Sequence, residues 1–246
     1  MKKEELMFCK VQSIFALFAV AMIAISAFVS CSTDDFTEDD DGNTYYKGHE
    51  YVDLGLSVKW AAYNLGASVY GDYYAWGETE TKSSYSMDTY KWGAWKSDGY
   101  LGFTKYVSSS DPYSGYDSFY DDKTTLETED DVAHVKWGGN WRMPTTSEWQ
   151  ELFNKRNCSW KWTELYGMEG YLITSKMRGF EGNAIFLPAS GGYYNDELYD
   201  EDSGYYWSSS LEDSYAAYAV SFDSYGVDDD ISGYRWFGRS VRPVCP

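Results

Sequence analysis

The sequence predicts an α+β domain with small antiparallel sheets, one or two helices and long ordered loops. Three features predict this class. An amphipathic helix pattern lies in the middle of the chain, several short strand patterns follow it, and a tyrosine-rich and tryptophan-rich stretch with little periodicity precedes it. With 246 residues, 20% of them aromatic, the chain can bury a sizeable core.

The first residues have the pattern of an export signal. Residues 14–29 are apolar except for Ser26, and Lys2, Lys3 and Lys10 give the preceding segment positive charge. Sixteen positions are too few for a membrane-spanning helix but typical of a signal-peptide core. Residues 1–30 are therefore predicted to be a signal peptide.

Cys31 ends the stretch FVSC, which resembles the lipobox of bacterial lipoproteins. The resemblance implies that Cys31 is lipidated and becomes the first residue of the mature chain. An ordinary signal peptide or a membrane anchor is the alternative.

Residues 31–44 are predicted to be an acidic, solvated tether. The run STDDFTEDDDG after the cysteine resembles the surface-export signal of Bacteroidetes lipoproteins. It implies an outer-membrane, lipid-anchored protein that faces the cell exterior. The alternative is a neutral spacer on a periplasmic protein.

Residues 45–246 are predicted to form the folded domain. Residues 51–66 alternate in the manner of strands, and residues 67–125 read as long loops held by buried rings. A helix is predicted to start at Thr145, where Glu148 completes a capping box. The apolar face of that helix comprises Trp149, Leu152 and Phe153. Strands are then predicted at residues 170–176, 184–190, 205–210, 216–222 and 238–244.

Eight ordered stretches resemble one family: VDLGLSVKWA, GDYYAWGET, EDDVAHVKWGGNWRMPT, SEWQEL, CSWKWT, IFLPASG, GYYWSSS and GRSVRPV. They resemble the Fibrobacter succinogenes major paralogous domain of Bacteroidetes surface lipoproteins. The resemblance implies a C-type-lectin-like fold, shared with formylglycine-generating enzymes and with the variable proteins of diversity-generating retroelements. Because this fold hosts enzymes, lectins and protein binders, the resemblance says little about activity.

The net charge of −19 argues against a nucleic-acid partner and against docking on anionic lipid other than through the anchor. No catalytic constellation is apparent. Only His49 and His134 could serve as a base for Ser208, Ser209 or Ser210. Paired carboxylates for glycoside hydrolysis are not singled out by any spacing.

No cofactor is expected. Two histidines do not make a transition-metal site, and the sugar–calcium motifs of true C-type lectins are absent. Calcium remains an alternative, with Asp228–Asp230 and Glu129–Asp131 as candidate ligands.

Cys158 and Cys245 lie too far apart in sequence for the copper-binding cysteine pair of formylglycine-generating enzymes. In an exported protein the two cysteines favour a disulfide, and two separate buried thiols are the alternative.

The C-terminal third has the composition of a binding face. Residues 193–234 contain nine Tyr, eight Ser and eight Asp and neither Lys nor Arg. Antibody paratopes use Tyr and Ser similarly. Trp207, Ala217, Ala219 and Phe222 are expected to face inward. The predicted ligand-binding residues are Tyr193, Tyr194, Asp196, Tyr199, Asp200, Asp202, Tyr205, Asp213, Tyr215, Asp223, Tyr225, Asp228, Asp229, Asp230, Tyr234 and Trp236.

Residues 83–122 have a similar composition and are the rival location for the face. Retroelement variable proteins carry diversified residues in the C-terminal region, and mutated Asn codons yield Asp, Tyr and Ser. The richness of residues 83–122 shows that such diversification is not required.

The sequence thus predicts a non-catalytic module that binds a glycan or a protein at the cell surface. The alternatives are a surface enzyme acting on glycan or protein, and a structural component of an adhesive layer. The oligomeric state is left open.

Overall fold

The computed structural model describes residues 36–68, 70–111, 113–165 and 167–246. Two short α-helices lie within these residues, α1 (Val132–Trp137) and α2 (Thr146–Phe153), with three 3₁₀ turns (Met87–Thr89, Tyr116–Ser118 and Thr128–Asp130). The strands are β1 (Phe36–Glu38), β2 (Thr44–Tyr46), β3 (His49–Val52), β4 (Lys59–Ala61), β5 (Tyr73–Tyr74), β6 (Gly93–Trp95), β7 (Leu101–Phe103), β8 (Cys158–Leu165), β9 (Met168–Ser175), β10 (Ala184–Pro188), β11 (Gly192–Tyr194), β12 (Glu197–Tyr199), β13 (Gly204–Leu211), β14 (Ala216–Asp223), β15 (Gly226–Tyr234), β16 (Arg239–Ser240) and β17 (Val244–Cys245).

These strands form small, mostly antiparallel sheets, which confirms the predicted α+β class. The central sheet has the order β15-β14-β13-β16-β5, and a second five-stranded sheet has the order β1-β2-β3-β4-β17. A three-stranded sheet (β10-β9-β8) and two hairpins (β11-β12 and β6-β7) complete the set. Strands β13 and β16 are parallel, at Tyr206 and Ser240.

The central sheet separates two apolar clusters, because successive residues of a strand point to opposite faces. On one face, Tyr206 and Val220 pack in a cluster that includes Trp149 of α2. On the other face, Trp207 and Ala219 pack in a second cluster. The sheet is therefore buried on both faces along β13 and β14.

The predicted inward-facing residues Trp207, Ala217, Ala219 and Phe222 are all buried. The first three lie in one cluster, and Phe222 lies in the other, on the α2 side of the sheet.

Helix α2 confirms the prediction made from its sequence pattern. The Thr145 hydroxyl accepts a hydrogen bond from the amide of Glu148 at 3.3 Å, and the Glu148 carboxylate accepts one from the amide of Thr145 at 2.8 Å. Trp149, Leu152 and Phe153 are buried. The capping box thus fixes the start of the helix, and its apolar face enters the core.

Residues 67–125 also follow the prediction of loops held by buried rings. The regular elements in the described part of this stretch are the short strands β5, β6 and β7 and two 3₁₀ turns. Trp76, Tyr90, Phe103 and Tyr106 from this stretch are buried. The rings of Trp76 and Tyr106 anchor the loops to the second cluster of the central sheet, and those of Tyr90 and Phe103 pack in a further cluster with Trp236.

Several elements were not predicted, among them two long strands and a short helix. Residues 158–165, expected as a link, form β8, and residues 226–234, expected as a loop, form β15. Helix α1 is capped by Asp131, whose carboxylate accepts hydrogen bonds from the amides of Ala133 and His134. β15 carries three consecutive aspartates, and their charge hides its strand pattern.

The predicted tether requires a correction at its C-terminal end. Residues 36–46 form the β1–β2 hairpin, and Asp39 closes its turn by accepting from the amide and side chain of Asn43 at 2.8 and 3.0 Å. The Phe36 ring stacks on Tyr46 at 4.5 Å. The folded unit therefore begins at Phe36 rather than at Tyr45.

Cys31 and the predicted signal peptide lie outside the described residues. Within the described ranges, no helix combines the length and the apolar character that crossing a bilayer requires.

The predicted disulfide is not formed. Cys158 and Cys245 are free and buried, and they belong to different apolar clusters. Burial raises the pKa of Cys158 to about 11 and that of Cys245 to about 12, which keeps both as uncharged thiols at neutral pH. The alternative of two separate buried thiols describes the structure.

Candidate ligand-binding site

Two tyrosine-rich segments that compete as candidates in the sequence are joined in the structure. The amide of Tyr85 donates to the carbonyl of Asn195 at 2.6 Å, and the amide of Asn195 donates back to Tyr85 at 3.0 Å. Asn195 has a positive φ of 57°, a conformation that asparagine tolerates in a hairpin turn. This two-way link fixes residues 83–122 against the β11–β12 hairpin.

The junction is closed by a second two-way link. Tyr193 and Gly238 exchange backbone hydrogen bonds at 2.8 and 2.9 Å. A Cβ at Gly238 would come within 2.9 Å of the side chains of Tyr193 and Tyr85. A larger residue at this position would therefore collide with both tyrosine side chains.

A groove of about 410 Å³ lies at this junction, and we call it the aromatic groove. From the first segment it is lined by Ser86, Met87, Asp88 and Trp95. From the C-terminal segment it is lined by Tyr194, Asn195, Tyr215, Tyr234, Trp236 and Phe237. Six of the ten lining residues are aromatic, and this proportion sets the chemistry of the groove.

One wall comes from a 3₁₀ turn and a hairpin strand. Ser86 and Thr89 cap the turn that carries Asp88, and β6 presents Trp95. The indole nitrogen of Trp95 donates to the Asp88 carboxylate at 2.8 Å. The Trp95 side chain is nevertheless 51% exposed, so the hydrogen bond orients a ring that faces solvent.

The opposite wall is a cluster of rings at the end of β15. Tyr234 and Trp236 stack at 4.5 Å with an interplanar angle of 9°. Phe237 lies edge-on to Tyr234 at 5.5 Å and to Tyr194 at 5.1 Å. Trp236 is buried, whereas Tyr194 and Tyr234 are about half exposed, at 48% and 50%. The buried Trp236 and the partly buried Phe237 thus support two exposed rings.

Tyr215 reaches the groove from the turn between β13 and β14. Asp213 holds this turn by accepting from the amides of Tyr215 and Ala216 at 2.6 and 2.8 Å. The Tyr215 ring lies edge-on to the buried Phe103 at 4.9 Å. Burial raises the pKa of Tyr215, and the charges of Asp111 and Asp213 raise it further.

The groove is acidic and rich in hydroxyl groups. Asp88 is the charged residue in its lining, and none of its lining residues is basic. Within the part of the chain that the structure describes, the hydroxyls of Tyr194, Tyr215 and Tyr234 make no hydrogen bond to protein. They are thus available to a ligand as donors and acceptors.

The structure divides the predicted ligand-binding residues. Tyr194, Tyr215, Tyr234 and Trp236 meet in the aromatic groove. A second depression, of about 340 Å³, is lined by Tyr205, Asp223, Tyr225 and Asp228. A third, of about 480 Å³, is lined by Tyr193 and Asp196. The remaining predicted residues line none of these three: Tyr199, Asp200, Asp202, Asp213, Asp229 and Asp230.

Asp228–Asp230 lie on β15, at an edge of the central sheet, and their exposure alternates along the strand. Charged residues on an edge strand prevent pairing with other chains. This placement gives the three aspartates a structural role that needs no ligand.

The other acidic candidate is an ion-pair network. Glu127, Glu129 and Asp130 lie close together, and Lys105 contacts all three, at 2.6, 3.5 and 2.5 Å. Asp131 is separate from them, because its carboxylate caps α1 and accepts from the amide of Met143 at 2.8 Å. Lys91 also pairs with Asp130 and Lys123 with Glu127, so three lysines offset the charge of the three carboxylates.

The serines of β13 are held by structural contacts. Ser208 is buried and lies 3.1 Å from the hydroxyl of Thr146 at the start of α2. His49 stacks on Trp137 at 4.0 Å, in a different part of the fold. The hydrogen bonds of Ser208 thus tie the central sheet to the helix.

Sequence reasoning missed Ser86, Met87, Asp88, Trp95, Asn195 and Phe237 as groove residues. The two walls lie about a hundred residues apart in the chain, and only tertiary contacts join them. The aromatic island YKWGAW, which ends at Trp95, was the available signal.

Comparisons of the chain with protein-family models, with curated proteins and with solved structures found no match.

Proposed function

We propose that this protein is a lipid-anchored surface protein whose domain binds a ligand, without turnover, in the aromatic groove. The observation that carries the proposal is the exposure of the groove's rings. Trp95, Tyr194 and Tyr234 are about half exposed and line one groove together, whereas rings that are more exposed, such as Tyr113 and Tyr225, do not line it. Exposed aromatic surface that folding does not bury is typical of an interaction site.

The way the groove is held supports the same role. Backbone links, a capped turn and buried supporting rings fix the side chains before any ligand arrives. A preformed site loses little conformational entropy on binding, and tyrosine and tryptophan offer large contact areas at low entropic cost. The glycan or protein ligand predicted from the sequence is suited to such a surface.

The C-type-lectin-like fold is part of the proposal. The mixed secondary structure, the small sheets and the long ordered loops that carry the groove support it. We infer the outer-membrane location and the outward orientation from the sequence around Cys31.

Lipidation at Cys31 has a direct test. Replacing Cys31→Ala should release the protein from the membrane or leave an unprocessed precursor. Metabolic labelling with a fatty-acid analogue measures the modification. Labelling of the Ala variant at wild-type level would contradict lipidation at this residue.

Binding is tested by screening the mature chain on arrays of glycans and surface proteins. We expect saturable binding without product release, and truncation of the Trp95 ring should weaken it. Tyr225→Ala is the matched control, because Tyr225 is 96% exposed and lies outside the groove. Release of a product from a surface polysaccharide would favour the enzyme alternative instead.

A further inference from the structure

The rings of the aromatic groove line it together with a single carboxylate, that of Asp88. Trp95 and Asp88 lie on one side and are hydrogen-bonded to each other. Tyr234 and Phe237 meet at 87° on the other side, so the wall presents ring surfaces in different directions. A flat sugar face stacks best on one ring plane, whereas a compact cation gains from several rings around it.

The protein already holds a guanidinium in this way in its interior. Arg235 is fully buried, and its guanidinium carbon lies 5.3 Å from the ring centroid of Trp76 and 4.8 Å from that of Phe103. It donates to the hydroxyl of Tyr90 at 2.9 Å and to backbone carbonyls. Its hydrogen-bond acceptors in the described ranges include no carboxylate. In this fold, aromatic faces and neutral oxygens are thus enough to hold a buried guanidinium.

Arg235 does not fill the groove. The rings around it lie inside the domain, and neither they nor Arg235 line the groove. Its sequence neighbours Tyr234 and Trp236 do line it. The groove therefore offers the same side-chain types to the exterior with no cation of the protein among them.

The negative charge in and around the groove also favours a cationic ligand. Asp88 lines the groove, and Asp111 and Asp213 act electrostatically on Tyr215 within it. The whole chain carries a formal charge of −19. This field attracts cations over long distances and contributes nothing to the binding of a neutral sugar.

Building on the proposed function, we infer that the groove receives the side chain of a lysine or arginine carried by a peptide or protein partner. A volume of about 410 Å³ is near the small end of ligand sites and suits one long side chain with its backbone. Asp88 pairs with the cationic end, and the rings enclose the side chain. The free hydroxyls of Tyr194 and Tyr234 accept from the ammonium or guanidinium donors.

The test uses the mature chain and small probes in ligand-observed NMR titrations. N-acetyl-lysine amide and N-acetyl-arginine amide carry the proposed side chains. N-acetyl-norleucine amide is the neutral counterpart of the lysine probe, choline represents a free organic cation, and cellobiose represents a sugar. We expect the two basic probes to bind about tenfold or more tightly than the norleucine probe, with affinity that falls as salt rises.

Variants locate the binding. Trp95→Ala should weaken the lysine probe by about 3- to 30-fold, the range of a cation–ring contact. Asp88→Asn keeps the shape and removes the charge, and it should weaken the lysine probe while leaving the norleucine probe unchanged. Tyr225→Ala should bind like the wild type.

The outcomes separate this inference from the proposed function. Equal binding of the norleucine and lysine probes, or binding of cellobiose alone, overturns the cationic occupant, and so does binding of choline alone. If the ligand selected on the arrays is neutral and still needs Trp95, the groove is a binding site and the inference fails. If the array ligand binds the Trp95→Ala variant as tightly as the wild type, both the proposed function and this inference fail.

Discussion

The interior around Arg235 and the aromatic groove use the same side chains for opposite purposes. Both are built from tyrosine, tryptophan and phenylalanine, and both draw on the segment that follows β15. The inner rings are buried and enclose a guanidinium, whereas Trp95 and Tyr234 leave about half of their surfaces in solvent. Aromatic composition alone therefore does not separate core from site. The two regions differ in the exposure of their rings and in whether a cationic side chain of the protein lies among them.

The comparison predicts that truncating an interior side chain lowers the free energy of unfolding, whereas truncating a groove side chain weakens ligand binding. The largest effect is expected for Trp207→Ala. Trp207 is fully buried and its indole nitrogen donates to the carbonyl of Tyr74 at 2.8 Å. The variant leaves a cavity and an unpaired carbonyl, so we expect a loss of about 4 kcal/mol in the free energy of unfolding. Urea denaturation measures it, and a loss below about 1 kcal/mol would contradict the assignment of Trp207 to the core.

Arg235→Lys should give the next largest effect. The Arg235 guanidinium donates to Tyr90 and to the carbonyls of Lys105, Tyr106 and Ser214. A lysine keeps the charge but cannot reach these acceptors together, so buried acceptors stay unpaired. We expect a loss of about 3 kcal/mol in chemical denaturation. Unchanged stability would show that charge alone, rather than the forked geometry, satisfies this site.

A partly buried carboxylate outside the groove, that of Glu50, should make the stability of the protein depend on pH. Burial, and then the charge of Asp39, raise the pKa of Glu50 to about 7. The folded state thus holds the Glu50 proton more tightly than the unfolded state, and this contribution to stability is lost as pH rises from about 4.5 through about 7.

Glu50→Gln removes that titration. We expect the variant to melt a few degrees above the wild type at pH 8, and the difference should disappear below pH 4.5. Thermal melts across this pH range measure it. A constant difference between the two proteins at every pH would contradict the raised pKa.

Local patterns predicted part of this fold from the sequence. The cap at Thr145, the buried face of α2 and the inward residues of β13 and β14 follow from spacing within a few residues. The strand β15 was missed because three aspartates mask its alternation, and edge position explains their presence. The separation of Cys158 from Cys245 depends on tertiary packing, which sequence distance does not reveal.

The site was predicted only in halves. Tyr215 and Tyr234 were expected as ligand-binding residues, and residues 83–122 were considered a rival location rather than the opposite wall. The two segments are joined by backbone hydrogen bonds between Tyr85 and Asn195. Because most residue types can form such bonds, the sequence does not indicate where they occur. Tyr225 was expected in the same face and lies outside the groove.

The groove variants should show the smallest effect on stability. The indole nitrogen of Trp95 donates one hydrogen bond, to Asp88, and the ring is half exposed. Trp95→Ala should change the free energy of unfolding by about 0.5 kcal/mol or less, as is usual for surface positions. A loss comparable with that of Trp207→Ala would mean that Trp95 belongs to the core.

The most direct test of the binding site is the dissociation constant of the array-selected ligand for Trp95→Ala, with Tyr225→Ala measured in parallel. Both variants should melt within a degree or two of the wild type. We expect Trp95→Ala to weaken binding by about tenfold or more and Tyr225→Ala to leave it unchanged. Wild-type affinity in a folded Trp95→Ala variant would contradict ligand binding in the aromatic groove.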